Sequence, residues 1–187
     1  MNFTMNNFSK TFHKKRLLLH VCCAPCAMHP IENLSNEYDV SLFFANSNIF
    51  PKEEFDKRLI FAKKIAKVFK LNLFIDSYDH QQWLDFIKGL ENEPEKGKRC
   101  EKCFEFNLIR TASFARENNF DCFSTTLTVS PHKPAEKIFK IGCSLGNFLE
   151  KDFKKKNGFV RSVELSKKFN LYRQNYCGCE FSIKNLP

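Results

Sequence analysis

The stretch that decides the fold runs from Leu17 to Lys70: LLLHVCCAPCAMHPIENLSNEYDVSLFFANSNIFPKEEFDKRLIFAKKIAKVFK. It opens on a short apolar run, Leu17 to Cys22, that ends in a cysteine–proline turn, and helical spacing follows from Ala27 to Glu37. Val40 to Ala45 is β-branched and aromatic, and NSNIFP makes a turn. Glu53 to Lys70 then carries Phe55, Leu59, Ala62, Ile65, Ala66 and Phe69 at three- and four-residue steps over a lysine-rich opposite face. The pattern is strand, helix, strand, helix.

Downstream the alternation continues. Leu73 to Ile75 reads as a strand, Gln81 to Leu90 as a short helix, and Glu91 to Lys98 as a charged loop with Pro94 and Gly97. A helix over Cys103 to Glu117, a strand over Phe120 to Leu127, and helices over Ala135 to Leu149 and Arg161 to Phe169 lead to a cysteine-bearing tail. Repeated strand–helix alternation predicts a three-layer α/β domain with a mostly parallel sheet and right-handed crossovers. The chain has 187 residues, one domain's worth. Residues 17–187 are expected to form that single catalytic domain, behind a flexible basic extension over residues 1–16.

Composition removes several classes. A hydrophobic fraction of 43% beside 27% charged residues is that of a folded globular protein, not of a disordered, collagen-like or coiled-coil chain. The longest apolar runs, such as Leu42 to Ala45, fall far short of the roughly 20 residues that cross a bilayer. The one signal-like tract, Lys14, Lys15 and Arg16 followed by LLLHVCCA, is interrupted by His20 and followed at once by Pro25, so a cytoplasmic protein without a membrane partner is expected.

Nine cysteines are the informative number, because a reducing compartment keeps thiols unpaired. Cys122 and Cys143 read as isolated small apolar residues. The other cysteines cluster: Cys22, Cys23 and Cys26 in HVCCAPC, Cys100 and Cys103 in RCEKC, Cys177 and Cys179 in YCGC. Such packing is what metal binding or dithiol redox chemistry requires. Cys23-Ala24-Pro25-Cys26 entering a helix would alone suggest a thioredoxin-like dithiol oxidoreductase. An adjacent pair with a CxxC instead offers four thiolates to a 4Fe-4S cluster. Cys100, Cys103, Cys177 and Cys179 offer the same number to zinc, as in a zinc-stabilised RNA-binding module.

In open α/β sheets the ligand site lies outside the carboxyl ends of the strands. HVCCAPC follows the first strand, SYDH the third and TTLTVSPHK the fourth, so the metal site is expected at that edge, with RCEKC in the loop and first turn before a helix. The excess of 30 basic over 21 acidic residues, a net charge of +9, points to a polyanionic partner, and 22 Phe residues include candidates for base stacking.

HVCCAPC, NSNIFPKEEFDKRL, YDHQQW, RCEKCFEFNLIRTA, FSTTLTVSPHK, KKKNGFVRS and LYRQNYCGC, in this order from Leu17 to Cys179, resemble the iron–sulfur epoxyqueuosine reductases of the QueH type. The resemblance implies reduction of epoxyqueuosine to queuosine at the wobble position of tRNA, the last step of queuosine biosynthesis, without cobalamin. It implies a Rossmann-like (HUP-like) form of this α/β domain and a 4Fe-4S cluster on Cys22, Cys23, Cys100 and Cys103. It further implies that Cys177 and Cys179 act as a redox pair or as ligands of a second, mononuclear iron, for which Cys26 and Asp79 are further candidates. Asp79 can equally cap the helix before Gln81. Iron is expected to act as Lewis acid and electron source. The chain has no dinucleotide fingerprint, so an external electron donor is expected. Thr125, Thr126, Ser130, His132 and Lys133, with Arg173 and Gln174, are candidates to hold phosphate or substrate hydroxyls. Lys154, Lys155, Lys156 and Arg161 are candidates to guide the tRNA backbone.

Overall fold

A computed structural model describes residues 13–183, the side chain of residue 183 excepted. Most of the expected N-terminal extension, residues 1–12, lies outside the described residues. Four parallel strands make the sheet: β1 (Lys15–His20), β2 (Tyr38–Phe44), β3 (Leu73–Ile75) and β4 (Cys122–Thr125), in the order β3-β2-β1-β4. β1 starts two residues inside the expected extension, because Lys15 and Arg16 pair with Tyr38 and Asp39 although their side chains are exposed and give no apolar signal.

Helices α1 (Ala24–Leu34) and α2 (Lys52–Phe69) cross over from β1 to β2 and from β2 to β3. α3 (His80–Phe86) and α4 (Lys98–Glu117) fill the long crossover to β4, and α5 (Ala135–Ser144), α6 (Gly158–Lys168) and α7 (Glu180–Ile183) follow it. Strand side chains alternate between two cores. Leu17, Leu19, Val40, Leu42 and Phe44 pack with α1, α2 and α6 on one face. Leu18, Phe43 and Phe123 pack with Phe104, Leu108 and Ala112 of α4 and Ile138 of α5 on the other. The result is a three-layer α/β sandwich.

Two helix starts differ from the sequence expectation and matter for the site. α1 begins at Ala24 instead of Ala27, since Pro25 sits in its first turn, where a missing N–H costs nothing, and Cys23 becomes the N-cap. α4 begins at Lys98 with Gly97 as N-cap, so Cys100 and Cys103 lie within the helix, one turn apart on one face. α5 ends at Ser144, before Gly146 takes a positive φ of 83°, and not at Leu149.

The order β3-β2-β1-β4 reverses direction at β1. Chains leaving β1 and β4 therefore part to opposite sides and open a crevice at their carboxyl ends, the place where such sheets take ligands.

Leu19 is fully buried in central β1, whereas Ile60 on α2 is 63% exposed. Leu19→Ala should lower unfolding free energy by about 2–5 kcal/mol, and Ile60→Ala should change it by no more than about 0.5 kcal/mol. Urea titrations of the two variants check the layer assignment.

Candidate metal centre

The crevice is built on the last residues of β1 and β4. His20 is fully buried, its Nε2 3.1 Å from the Ala45 carbonyl oxygen and its Nδ1 2.9 Å from Thr125 Oγ1. A carbonyl only accepts, so Nε2 carries the proton and Nδ1 accepts from the Thr125 hydroxyl. Burial lowers the His20 pKa and favours this neutral ring. The imidazole thus ties the ends of β1, β2 and β4 beneath Cys22. One residue on, the Cys22 N–H donates to Thr126 Oγ1 at 3.1 Å, and the Thr126 hydroxyl donates to Cys22 Sγ at 3.4 Å.

Because α1 starts directly after this loop, Cys22, Cys23 and Cys26 are brought together, their Sγ atoms all within 4.8 Å of one another. The Cys22 thiol is held well below its ordinary pKa, first because Cys23 and Cys26 donate S–H hydrogen bonds to its thiolate. Donating to Cys22 pushes Cys23 up to about 11, and Cys26 is also raised, for the same cause. The trio therefore holds one thiolate. Lys133 stands beside it: burial opposes its charge, but the surrounding cysteine sulfurs, Cys177 and Cys22 before Cys26 and Cys23, outweigh that and raise its pKa, so its ammonium persists.

A second group forms where α4, α7 and the C-terminal loop meet. Cys100, Cys103, Cys177 and Cys179 border one small apolar cavity together with Trp83 and Arg99. Burial raises the pKa of Cys103 well above the ordinary thiol value, and the thiolates of Cys177, Cys179 and Cys100 raise it further. Cys100 and Cys179 are raised first by burial and then by Cys177. Cys177 joins the two groups: it borders this cavity, a second small one with Cys22 and Cys103, and a large one of about 550 Å³ with Cys22, Cys23, Cys26 and Cys100.

The expected site residues are distributed unevenly around this centre. His132, Lys133, Ser130, Arg173 and Gln174 line the large cavity. Ser130 Oγ, however, accepts from the His132 N–H in a local turn. Thr125 and Thr126, expected as substrate contacts, are buried and engaged with His20, the Leu127 N–H and Cys22, so they shape the cysteine loop. Asp79 is exposed and is the N-cap of α3, its Oδ1 accepting from the Gln82 N–H at 3.0 Å. It borders none of the three cavities. Trp83, one helical turn further on, is the residue of that motif that reaches the thiols. Sequence reasoning missed Arg58, Trp83 and Arg99, whose side chains border the two small thiol-lined cavities.

These residues suit a thiolate-bound metal. Arg58 Nη2, Trp83 Nε1 and Arg99 Nε are buried donors without a hydrogen-bond partner, and all three side chains border the thiol-lined cavities. An unsatisfied buried donor costs about 1–3 kcal/mol. Three of them around the same sulfurs match a site completed by anionic sulfur.

A family model described as "Epoxyqueuosine reductase QueH" matches residues 17–185. The chain belongs to the epoxyqueuosine reductase QueH family. It is 37% identical to the epoxyqueuosine reductase QueH of Streptococcus pyogenes serotype M1, over 96% of this chain and 76% of that protein. It is 39% identical to that of Thermotoga maritima, over 89% of this chain and 90% of that protein. Among solved structures, a predicted subunit of tRNA methyltransferase from Methanocaldococcus jannaschii superposes with a TM-score of 0.51 at 12% identity, covering 79% of this chain and 76% of that one. At that identity the likeness bears on the α/β fold alone, and it accords with the architecture expected from the sequence. Among the described residues no helix is long and apolar enough to cross a membrane.

The three-thiol arrangement predicts unequal reactivity. In metal-free protein at about pH 8, below the ordinary cysteine pKa of about 8.5, iodoacetamide should modify Cys22 before Cys23 and Cys26. A lowered pKa gives Cys22 its thiolate at a pH where its neighbours remain thiols. Peptide mass spectrometry over time reads the order, and initial labelling at Cys23 or Cys26 would contradict it.

Proposed function

We propose that this chain reduces the epoxide of epoxyqueuosine in tRNA to the alkene of queuosine, using a thiolate-bound iron–sulfur centre in the crevice between β1 and β4. The observation that carries the reading is the convergence of seven cysteines from three distant segments on one cavity system, in a chain of the QueH family. Burial holds the Cys100, Cys103 and Cys179 thiols protonated, so these sulfurs can ionise together only with a cation among them. Iron and sulfide meet that requirement.

In this reading Cys22, Cys23, Cys100 and Cys103 hold a 4Fe-4S cluster. Cys177 and Cys179 stand beside it as a redox pair or, with Cys26, as ligands of a second iron. The Asp79 cap uses Oδ1, and the other carboxylate oxygen is chemically able to serve a metal. Bound there, iron supplies single electrons and a Lewis-acid pull on the epoxide oxygen.

The chain's own residues supply the rest. Deoxygenation takes two electrons and two protons and releases water. The electrons come from a donor outside the chain. Lys133, whose ammonium persists beside Cys22 and Cys177, would offer positive charge and N–H donors to the departing oxygen, with the protons drawn from solvent. The cavity of about 550 Å³ is large enough for a modified base, and Gln174, Asn175, His132 and Arg173 offer polar atoms to its hydroxyls. Phe104, Val129 and Phe159 form apolar wall that keeps water from the reacting atoms.

For the tRNA, the basic tract before α6 leads to this cavity, since Phe159 and Ser162 of α6 line it. Lys154 pairs with Asp152, and Arg161 with Glu32 and Glu164, which leaves Lys155 and Lys156 exposed for phosphate. Changing Lys155 and Lys156 to Gln should make the log–log salt dependence of tRNA affinity shallower by roughly one unit per lysine. An unchanged slope in filter-binding titrations would mean that the RNA path lies elsewhere.

The metal reading is tested on anaerobically prepared protein by iron, sulfide and zinc analysis with absorption spectra. Single Ala variants of Cys22, Cys23, Cys100 and Cys103 should each lose cluster and turnover. Cys177→Ala and Cys179→Ala should abolish turnover while most of the cluster remains. Tightly held zinc without sulfide, or full cluster content in all four ligand variants, would refute the assignment.

A further inference from the structure

α2 carries two charged residues on its buried side. Glu54 is 8% and Arg58 3% exposed, one helical turn apart, on a helix whose opposite face is lysine-rich. Taking an ion pair out of water is costly, and burial makes sense when its polar atoms are used to fix something else. Here they fix the last cysteines. Arg58 Nε donates to Glu54 Oε1 at 2.7 Å, and Arg58 Nη1 donates to the Cys177 carbonyl oxygen at 2.9 Å. The Tyr172 hydroxyl donates to Glu54 Oε2 at 3.1 Å, so the carboxylate is itself held by the strand of chain leading to Cys177. Tyr176 lies with its ring centroid 5.3 Å from the guanidinium carbon.

Gly178 completes the fit. Its φ is +127°, a conformation side chains rarely adopt, and a Cβ there would come 2.9 Å from Nη1 and 3.0 Å from Nη2 of Arg58. The guanidinium therefore packs directly on the glycine between the two cysteines. The rest of the turn is pinned from other sides. The Phe50 N–H donates to the Gly178 carbonyl at 2.8 Å, and the Gly178 N–H donates to Ser182 Oγ at 3.1 Å. Arg58 also borders the large cavity and the small one shared by Cys22, Cys103 and Cys177.

We propose that Arg58 is the positioning residue of the Cys177–Gly178–Cys179 turn: fixed by Glu54, it holds the Cys177 carbonyl and seats Gly178, so that the Cys177 thiol stands between the Cys22/Cys23/Cys26 group and the Cys100/Cys103/Cys179 group. The kinetic part of the test rests on the reading of Cys177 as a participant in epoxide reduction, while the position of the turn does not. Lysine cannot replace Arg58, because one point charge cannot bond Glu54, the Cys177 carbonyl and the glycine face at once, as the planar fork does.

The experiment uses the full chain loaded with iron. Arg58→Lys should lower kcat by about 10- to 100-fold, the range for residues that orient metal-site ligands, with KM little changed. The independent readout is alkylation of Cys177, quantified against exposed Cys143 in the same sample, before and after chelation. In Arg58→Lys the Cys177 rate should shift by about tenfold, the scale of a lost hydrogen bond to a charged group, while Cys143 stays constant. Gly178→Ala, which pushes the turn off the guanidinium, should give the same shift. It carries the test if Arg58→Lys fails to fold, and the two effects combined should be less than additive. Unchanged Cys177 labelling in the folded variants would overturn the proposal. So would a raised KM with intact kcat, which would make Arg58 a substrate contact. If wild-type protein holds no iron and reduces no epoxide, the functional reading fails, yet the labelling comparison still decides the role of Arg58.

Discussion

The crowding of buried thiols is the constraint on which the rest of this structure depends. Cys103 is raised in pKa first by burial and then by Cys177, Cys179 and Cys100, and Cys26 is raised first by its hydrogen bonds to Cys22 and Cys23. Left alone, such a site ionises at few positions and keeps one protonated lysine close by. A cation among the sulfurs reverses the balance, since every thiolate then gains more from the metal than it loses to its neighbours. Binding energy of this kind is also folding energy, because the cysteines come from segments as far apart in sequence as Cys22 and Cys179, which the chain must first bring together.

The parallel sheet makes that gathering possible. β1 pairs with β2 on one side and β4 on the other, so its carboxyl end lies in the middle of the crevice. His20 locks the three strand ends, Thr126 orients Cys22, and the first turn of α1 supplies Cys26. The second group is assembled differently. A helix from the opposite layer presents Cys100 and Cys103 on one face, and a loop held by α2 delivers Cys177 and Cys179. The candidate metal centre therefore spans both layers of helices.

Much of this was legible in the sequence, and what was not has physical causes. The short apolar run located β3 without error and periodicity located α2 to within one residue, because Phe55, Ala62, Ile65 and Ala66 face a core at the expected steps. The start of α4 was hidden, since GKRC offers no apolar stripe, and with it the fact that Cys100 and Cys103 share a helix face. The grouping of the cysteines depends on contacts between residues far apart in sequence, which no local pattern encodes. Glu54 and Arg58 are charged and stand outside the apolar stripe by which the sequence marks α2, yet they are buried. Thr125 and Thr126 read as polar groups free for a ligand, but they bond the cysteine loop. Asp79, in contrast, occupies the helix-capping position that its place before Gln81 suggested.

The most direct test of the account is nucleoside analysis. Transfer RNA carrying epoxyqueuosine, incubated anaerobically with the iron-loaded chain and a low-potential reductant, should be digested and followed by mass spectrometry. The account predicts conversion to a nucleoside lighter by one oxygen atom that co-elutes with queuosine and fails to form without iron. Unchanged epoxyqueuosine with fully loaded, reduced protein would contradict it.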